Sequence, residues 1–187
     1  MPSYDDALAL FHEWTETESL RRHAYAVEAA MEHYAKLLAP DEVEKWRITG
    51  LLHDMDYEKH PTPEEHPFVG TAVLREHGYP EDVIQAILGH ATYSGVPRET
   101  KMAQTLFAVD ELAGFVTAVA YVRPTGLDGM TPRSVKKKLK DKAFAAAVSR
   151  DDIRQGAEEM GIDIDQHIAH VIAGMRDRAE RLGLARP

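Results

Sequence analysis

Apolar residues recur at three- and four-residue steps along almost the whole chain, and no stretch alternates convincingly between apolar and polar. The pattern predicts helices and no strand. Ser3 followed by Asp6 marks a capped start to a first helix, with Leu8, Phe11 and Trp14 as its inner stripe. A second helix is expected from near Thr17 to just before Pro40, turning Leu20, His23, Ala24, Val27, Met31, Tyr34 and Leu38 inward. Asp41 with Glu44 resembles a capping box and opens a third helix running through Trp46, Leu51 and Leu52 toward His53. The prolines of HPTPEEHP break the pattern into a loop before a fourth helix, which His66 begins and Gly78 closes.

Pro80 suits the first position of a fifth helix that ends near Ala91. Beyond TYSGVPRE, a long sixth helix covers about 99 to 122. RPTGLDGMTP is a second loop, and Thr131–Pro132 is a natural helix start. The remainder predicts three shorter helices, over 134–147, 149–160 and 163–182. No repeat, low-complexity tract or long linker divides the chain, so one all-α domain is expected.

Composition narrows the function classes. The 187 residues are 44% hydrophobic and 28% charged, the balance of a globular protein that can bury its own core. With no cysteine there is no disulfide framework, zinc ribbon, Fe–S cluster or thiol nucleophile. A net charge of −9 argues against a nucleic-acid polymer as partner. MPSYDDALALFHEW does not resemble a signal peptide, and the apolar run Leu112 to Val122 is short for a membrane span, so a cytoplasmic protein without a membrane partner is expected.

Ten histidines in such a chain need sorting. His12, His33, His60 and His77 have no partner pattern and suit ordinary packing. His167 and His170, three apart, can share a face, but a solvated C-terminal helix accounts for them. Four others differ. His23 lies on an apolar stripe, His53 and Asp54 end the run ITGLL, His66 precedes an inner face through Gly70 and Val73, and His90 closes the stripe of Val83 and Ile87. Steps from Ala103, Leu106 and Phe107 point Asp110 inward as well. A lone histidine on an apolar stripe is most often a hydrogen-bonded core residue. Several imidazoles and two carboxylates aimed at one interior are another matter, because an unpaired buried carboxylate is strongly unfavourable. Their convergence is what a metal site needs.

The order His23, His53-Asp54, His66, His90, Asp110, with the stretches GLLHDMDYEKHP and EHPFVGTAVLREHGYPEDVIQAILGH, resembles the HD-domain (HDIG-like) superfamily of metal-dependent phosphohydrolases. The resemblance implies a helical bundle with a metal-binding core at about 17–122 and a C-terminal helical extension at about 131–187. It implies that His23, His53, Asp54 and Asp110 hold one metal, and that His66 and His90 hold a second with Asp54 bridging. Nitrogen and oxygen donors without sulfur suit Mn, Fe, Co, Ni or Zn, and Mg is compatible. VRPTGLDGMTPRSVKKKLKDKAFAAAV is similar to a tail of small bacterial HD proteins.

The activity implied is hydrolysis of a phosphomonoester or small phosphodiester, nucleotide-like, by metal-activated water. Two divalent ions against Asp54 and Asp110 would leave a locally positive site in an acidic protein, drawing in a small phosphorylated anion. Besides Asp54, Asp56 is a candidate for proton transfer or for holding a ligand imidazole; Glu58 reads as a helix-end surface charge. Relatives place lysine or glutamate where this chain has Tyr57, so their proton-transfer residue does not carry over. Arg123, Lys136 and Lys137, from a basic cluster with Arg133, Lys138 and Lys140, are candidate phosphate-binding groups. Two alternatives stand beside hydrolysis: a mixed-valent di-iron oxygenase of the same superfamily, typified by myo-inositol oxygenase, and a non-catalytic nucleotide-binding module. The oligomeric state is open.

Overall fold

The computed structural model describes residues 1–186, which form nine α-helices and no strand. The helices are α1 (Tyr4–Trp14), α2 (Glu18–Leu38), α3 (Val43–Leu52), α4 (Phe68–Glu76), α5 (Glu81–His90), α6 (Lys101–Tyr121), α7 (Pro132–Leu139), α8 (Arg150–Met160) and α9 (Ile164–Arg176). Two of them, α2 and α6, run 21 residues each and form the axis of the bundle. α2 packs on α3, α6 and α9, and α6 packs on α2, α5 and α8.

Local chemistry fixes most of the starts. Ser3 Oγ accepts the Asp6 amide while Asp6 Oδ2 accepts the Ser3 amide, the reciprocal box expected for α1. Thr100, Thr131, Ser149 and Asp163 each cap the helix that follows with a side-chain oxygen. The box expected at Asp41 and Glu44 does not form. Pro40–Glu42 makes a 3-10 turn instead, and α3 begins at Val43 without a side-chain cap.

α6 is apolar nearly all round because neighbours cover nearly all of it, from Met102 to Ala120. By length and composition it could cross a membrane, contrary to the shorter apolar run expected, but two-thirds of its apolar window is buried and it serves as the central core helix. α8 lies so close to α6 that a Cβ on Gly156 would stand 2.5 Å from Ala108 Cα. Some inner positions differ from the stripe expectation. Leu38 is exposed at the end of α2, while Ala7 and Leu10 join Phe11 in the face of α1.

Two helices are shorter than their patterns predict. α7 stops at Leu139, not Ala147, because Arg150 binds the carbonyls of Asp141, Phe144, Ala145 and Val148, and a helix would need those acceptors for itself. α9 stops at Arg176, not Leu182. Beyond it the chain turns so that Leu182 and Leu184 enter the core and Arg178 and Arg181 reach Glu32 and Glu28 on α2.

Candidate metal centre

Five separate segments bring their polar side chains to one point. His23 comes from the first half of α2, and His53 and Asp54 follow the last residues of α3. His66 stands in the turn before α4, two residues ahead of the helix it was expected to begin, His90 ends α5, and Asp110 sits in the middle of α6. The rings of His23 and His53, His53 and His90, and His66 and His90 have centroids 5.3, 5.1 and 5.3 Å apart.

Outward hydrogen bonds set the tautomers. His53 Nδ1–H donates to Gly50 O at 2.8 Å, and His90 Nδ1–H donates to Ile87 O, each carbonyl lying three residues earlier in the chain. His66 Nδ1–H donates to Asp56 Oδ1 at 2.7 Å. Each ring therefore turns Nε2 inward, where a neutral imidazole offers a lone pair.

Asp54 divides its two oxygens between these rings. Oδ1 lies 3.2 Å from both His66 Nε2 and His90 Nε2, while Oδ2 lies 3.3 Å from His53 Nε2 and 3.8 Å from His23 Nε2. Asp110 Oδ1 closes the second half, 2.9 Å from His23 Nε2 and 3.4 Å from His53 Nε2. Donors of His23, His53 and Asp110, and likewise of His53, Asp54 and His90, lie within 4.8 Å of one another.

One atom decides what this arrangement fits. His53 Nε2 is fully buried and makes no hydrogen bond of acceptable geometry, although carboxylate oxygens of Asp54 and Asp110 stand near it. A buried lone pair facing anionic oxygens is unfavourable unless a positive charge lies among them. Protons can supply that charge. Burial opposes an imidazolium at His53, but Asp54 and Asp110 outweigh it and hold the group well above the usual histidine range. At His66 the same contest, with Asp54 and Asp56 prevailing, raises the pKa to about 9. The two carboxylates move the opposite way: despite burial, His53 keeps Asp54 well below its ordinary value, and His53 and His23 do so for Asp110. A divalent cation meets the same need with one species, and the nitrogen and oxygen donors suit one.

The site opens into a cavity of about 430 Å³, whose further wall includes Tyr57, Tyr93, Glu111, Gly114, Val148 and Asp152. Glu111 Oε2 accepts the Ser149 amide at 3.0 Å and so ties α6 to the start of α8. Burial, followed by Asp110 and Asp152, pushes the Glu111 carboxyl up to about 7. Sequence patterning singles out neither Glu111 nor Asp152. Glu111 follows Asp110 directly, which is a usable signal, whereas Asp152 reaches the cavity only through the packing of α8 on α6.

The other expected residues lie as follows. Asp56 is buried, with Oδ1 on His66 and Oδ2 accepting the Gly70 amide at 2.6 Å. Glu58 is a helix-end charge of a specific kind, accepting the amides of Glu16 and Thr17 ahead of α2. Arg123, Lys136 and Lys137 do not reach the cavity. Arg123 binds the carbonyls of Gly126 and Asp128 in its own loop, Lys136 pairs with Asp165 at 2.8 Å, and Lys137 lies beside it on an exposed face of α7. No lysine or arginine lines the metal cavity among the described residues. His167 is not solvated as expected: it is fully buried, accepting from Tyr34 Oη at Nδ1 and donating from Nε2 to Ala108 O.

One comparison with known proteins found a match. The model of a family described as the HD domain matches residues 20–114, from the start of α2 to just past Asp110. No curated protein and no solved structure matches the chain.

Proposed function

The chain belongs to the HD-domain family, whose members are generally metal-dependent hydrolases, and from that premise we propose that it is a phosphohydrolase acting on a small phosphorylated substrate. The observation that carries the reading is the orphaned, buried Nε2 of His53 between the carboxylates of Asp54 and Asp110. His23, His53, Asp54 and Asp110 would hold one divalent ion, and His66 and His90, sharing Asp54 with the first site, would hold a second. Such ions, when bound, polarise a phosphoryl oxygen and activate water as a nucleophile.

The chain's own groups prepare that chemistry. Gly50 O, Ile87 O and Asp56 Oδ1 hold protons on the Nδ1 atoms of His53, His90 and His66, so that the Nε2 atoms converge and offer lone pairs to a cation that displaces the protons held there. Both oxygens of Asp56 are engaged, which supports an orienting role for it rather than proton transfer. Tyr57 stands edge-on to the His66 ring, 5.3 Å between centroids, and lines the cavity together with Val148.

The test is phosphate release from a panel of nucleotides, aryl phosphates and alkyl phosphates by protein stripped with chelator and reconstituted with Mn²⁺. Release that chelation abolishes, and that is lost in Asp54→Ala, is expected. Release that survives Asp54→Ala would sink the metal mechanism. Two irons per chain with a mixed-valent EPR signal and no phosphate release would favour the oxygenase instead.

A further inference from the structure

The wall of the metal cavity carries the wrong charges for a polyanion. Lysine and arginine are absent from it among the described residues, whereas Glu111 and Asp152 both line it. The N-terminus of α8 borders the cavity and has two of its amides already taken. Ser149 N–H already goes to Glu111 Oε2, and Asp152 N–H goes to Ser149 Oγ. Tyr57 and Tyr93 line it as well, each with a large exposed surface. Carboxylates combined with aromatic faces are the surroundings that recognise an organic cation.

Resting on the phosphohydrolase reading, we propose that the substrate is a phosphomonoester of an amino alcohol, its phosphate at the His/Asp centre and its cationic nitrogen against Glu111 and Asp152. The charges then match end for end. The dianionic phosphate meets the ions, and the ammonium meets two carboxylates that would repel a second phosphate or a carboxylate tail. A cavity of about 430 Å³ admits a substrate of this size. In the reaction, water supplies the hydroxyl that ends on phosphorus and the proton that ends on the leaving oxygen. The P–O bond to the alcohol breaks, and inorganic phosphate and the free amino alcohol leave. Glu111 and Asp152 act on which alcohol is accepted and take no part in the bond exchange.

Two non-hydrolysable isosteres test the proposal apart from turnover: 3-aminopropylphosphonate, with an ammonium at its end, and butylphosphonate, with a methyl there. Binding of each to the Mn²⁺-reconstituted full chain is measured by calorimetry, for wild type, for Glu111→Gln and Asp152→Asn singly, and for the double variant. The amino compound is expected to bind about tenfold or more tightly, since a charge pair in a partly enclosed cavity exceeds its surface value. The ratio should shrink in each single variant and approach one in the double. Equal or tighter binding of butylphosphonate, binding of neither compound, or a ratio that the variants leave unchanged overturns the proposal. Phosphate release from O-phosphorylethanolamine and propyl phosphate is read separately. A binding preference without release from any ester removes the hydrolase reading and leaves the cation site. Release without a preference removes the cation site and leaves the hydrolase.

Discussion

His66 donates its Nδ1 proton to Asp56 Oδ1 at 2.7 Å, and both side chains are almost wholly shielded from water. The second oxygen of Asp56 accepts the amide of Gly70, so one carboxylate fixes a proposed ligand to the first turn of α4. A Cβ at position 70 would stand 2.8 Å from Asp56 Cγ. Gly70→Ala therefore displaces Asp56 and, through it, the inward Nε2 of His66. Metal affinity should fall about 10- to 100-fold, the usual effect of losing such an orienting partner. A Mn²⁺ titration checks this, with circular dichroism confirming that the helices persist. Undiminished affinity would remove the orienting role.

Metal binding should depend on pH with a definite sign. His66, ordinarily near 6.5, stands at about 9 in the metal-free fold, and His53 is raised as well. For such groups the folded state binds more protons than the unfolded state. Their contribution is complete below about 6.5 and disappears as pH rises through about 9. Metal must displace those protons, so the rise in melting temperature on adding Mn²⁺ should grow between about pH 6 and pH 9. Over the same window the metal-free protein should lose stability. Thermal melts across pH, with and without metal, read both trends.

His167 predicts an acid limit of the opposite kind. Burial pushes it down to about 4 from an ordinary 6.5, so the unfolded chain takes up a proton that the folded one refuses. Stability should fall as pH drops from about 6.5 to 4, by up to about 3 kcal/mol. His167→Gln, which cannot titrate, should flatten that part of the curve in urea unfolding. An unchanged slope would mean that other groups set the acid limit.

The closest approach of α6 and α8 is also open to test. At Gly156 a Cβ would meet the backbone of Ala108 at 2.5 Å, with no flexible side chain to move aside. Gly156→Ala should force the helices apart and destabilise the fold by about 1–3 kcal/mol, measured by urea unfolding. A neutral result would show that α8 can shift freely against α6.

Much of this protein is legible in its sequence where signals are local. Capping residues such as Ser3, Thr131 and Ser149 mark helix starts, and helical spacing alone turns His23 and Asp110 to inward faces. Features decided by distant partners are not legible in this way. The end of α7 depends on Arg150 taking carbonyls from the preceding segment, and no window of sequence around Leu139 carries that information. Glu28 is another case. It lies on the buried face of α2 because Tyr4, Arg47 and Arg181, from three other segments, converge on its Oε1. The basic cluster misleads for a related reason. Composition locates Arg123, Lys136 and Lys137 in the chain but not in space, and the acids that do border the cavity are hidden by the −9 net charge around them.

His53 Nε2 lies buried among carboxylates, the surroundings in which a cation would bind. Calorimetric titration of chelator-stripped protein with Mn²⁺, in wild type and in Asp54→Ala, tests that binding most directly. Saturable binding with release of protons is expected in the wild type, and at least about a hundredfold weaker binding once the Asp54 carboxylate is gone. Binding of equal strength in Asp54→Ala, or no saturable binding in the wild type, would contradict a cation site there.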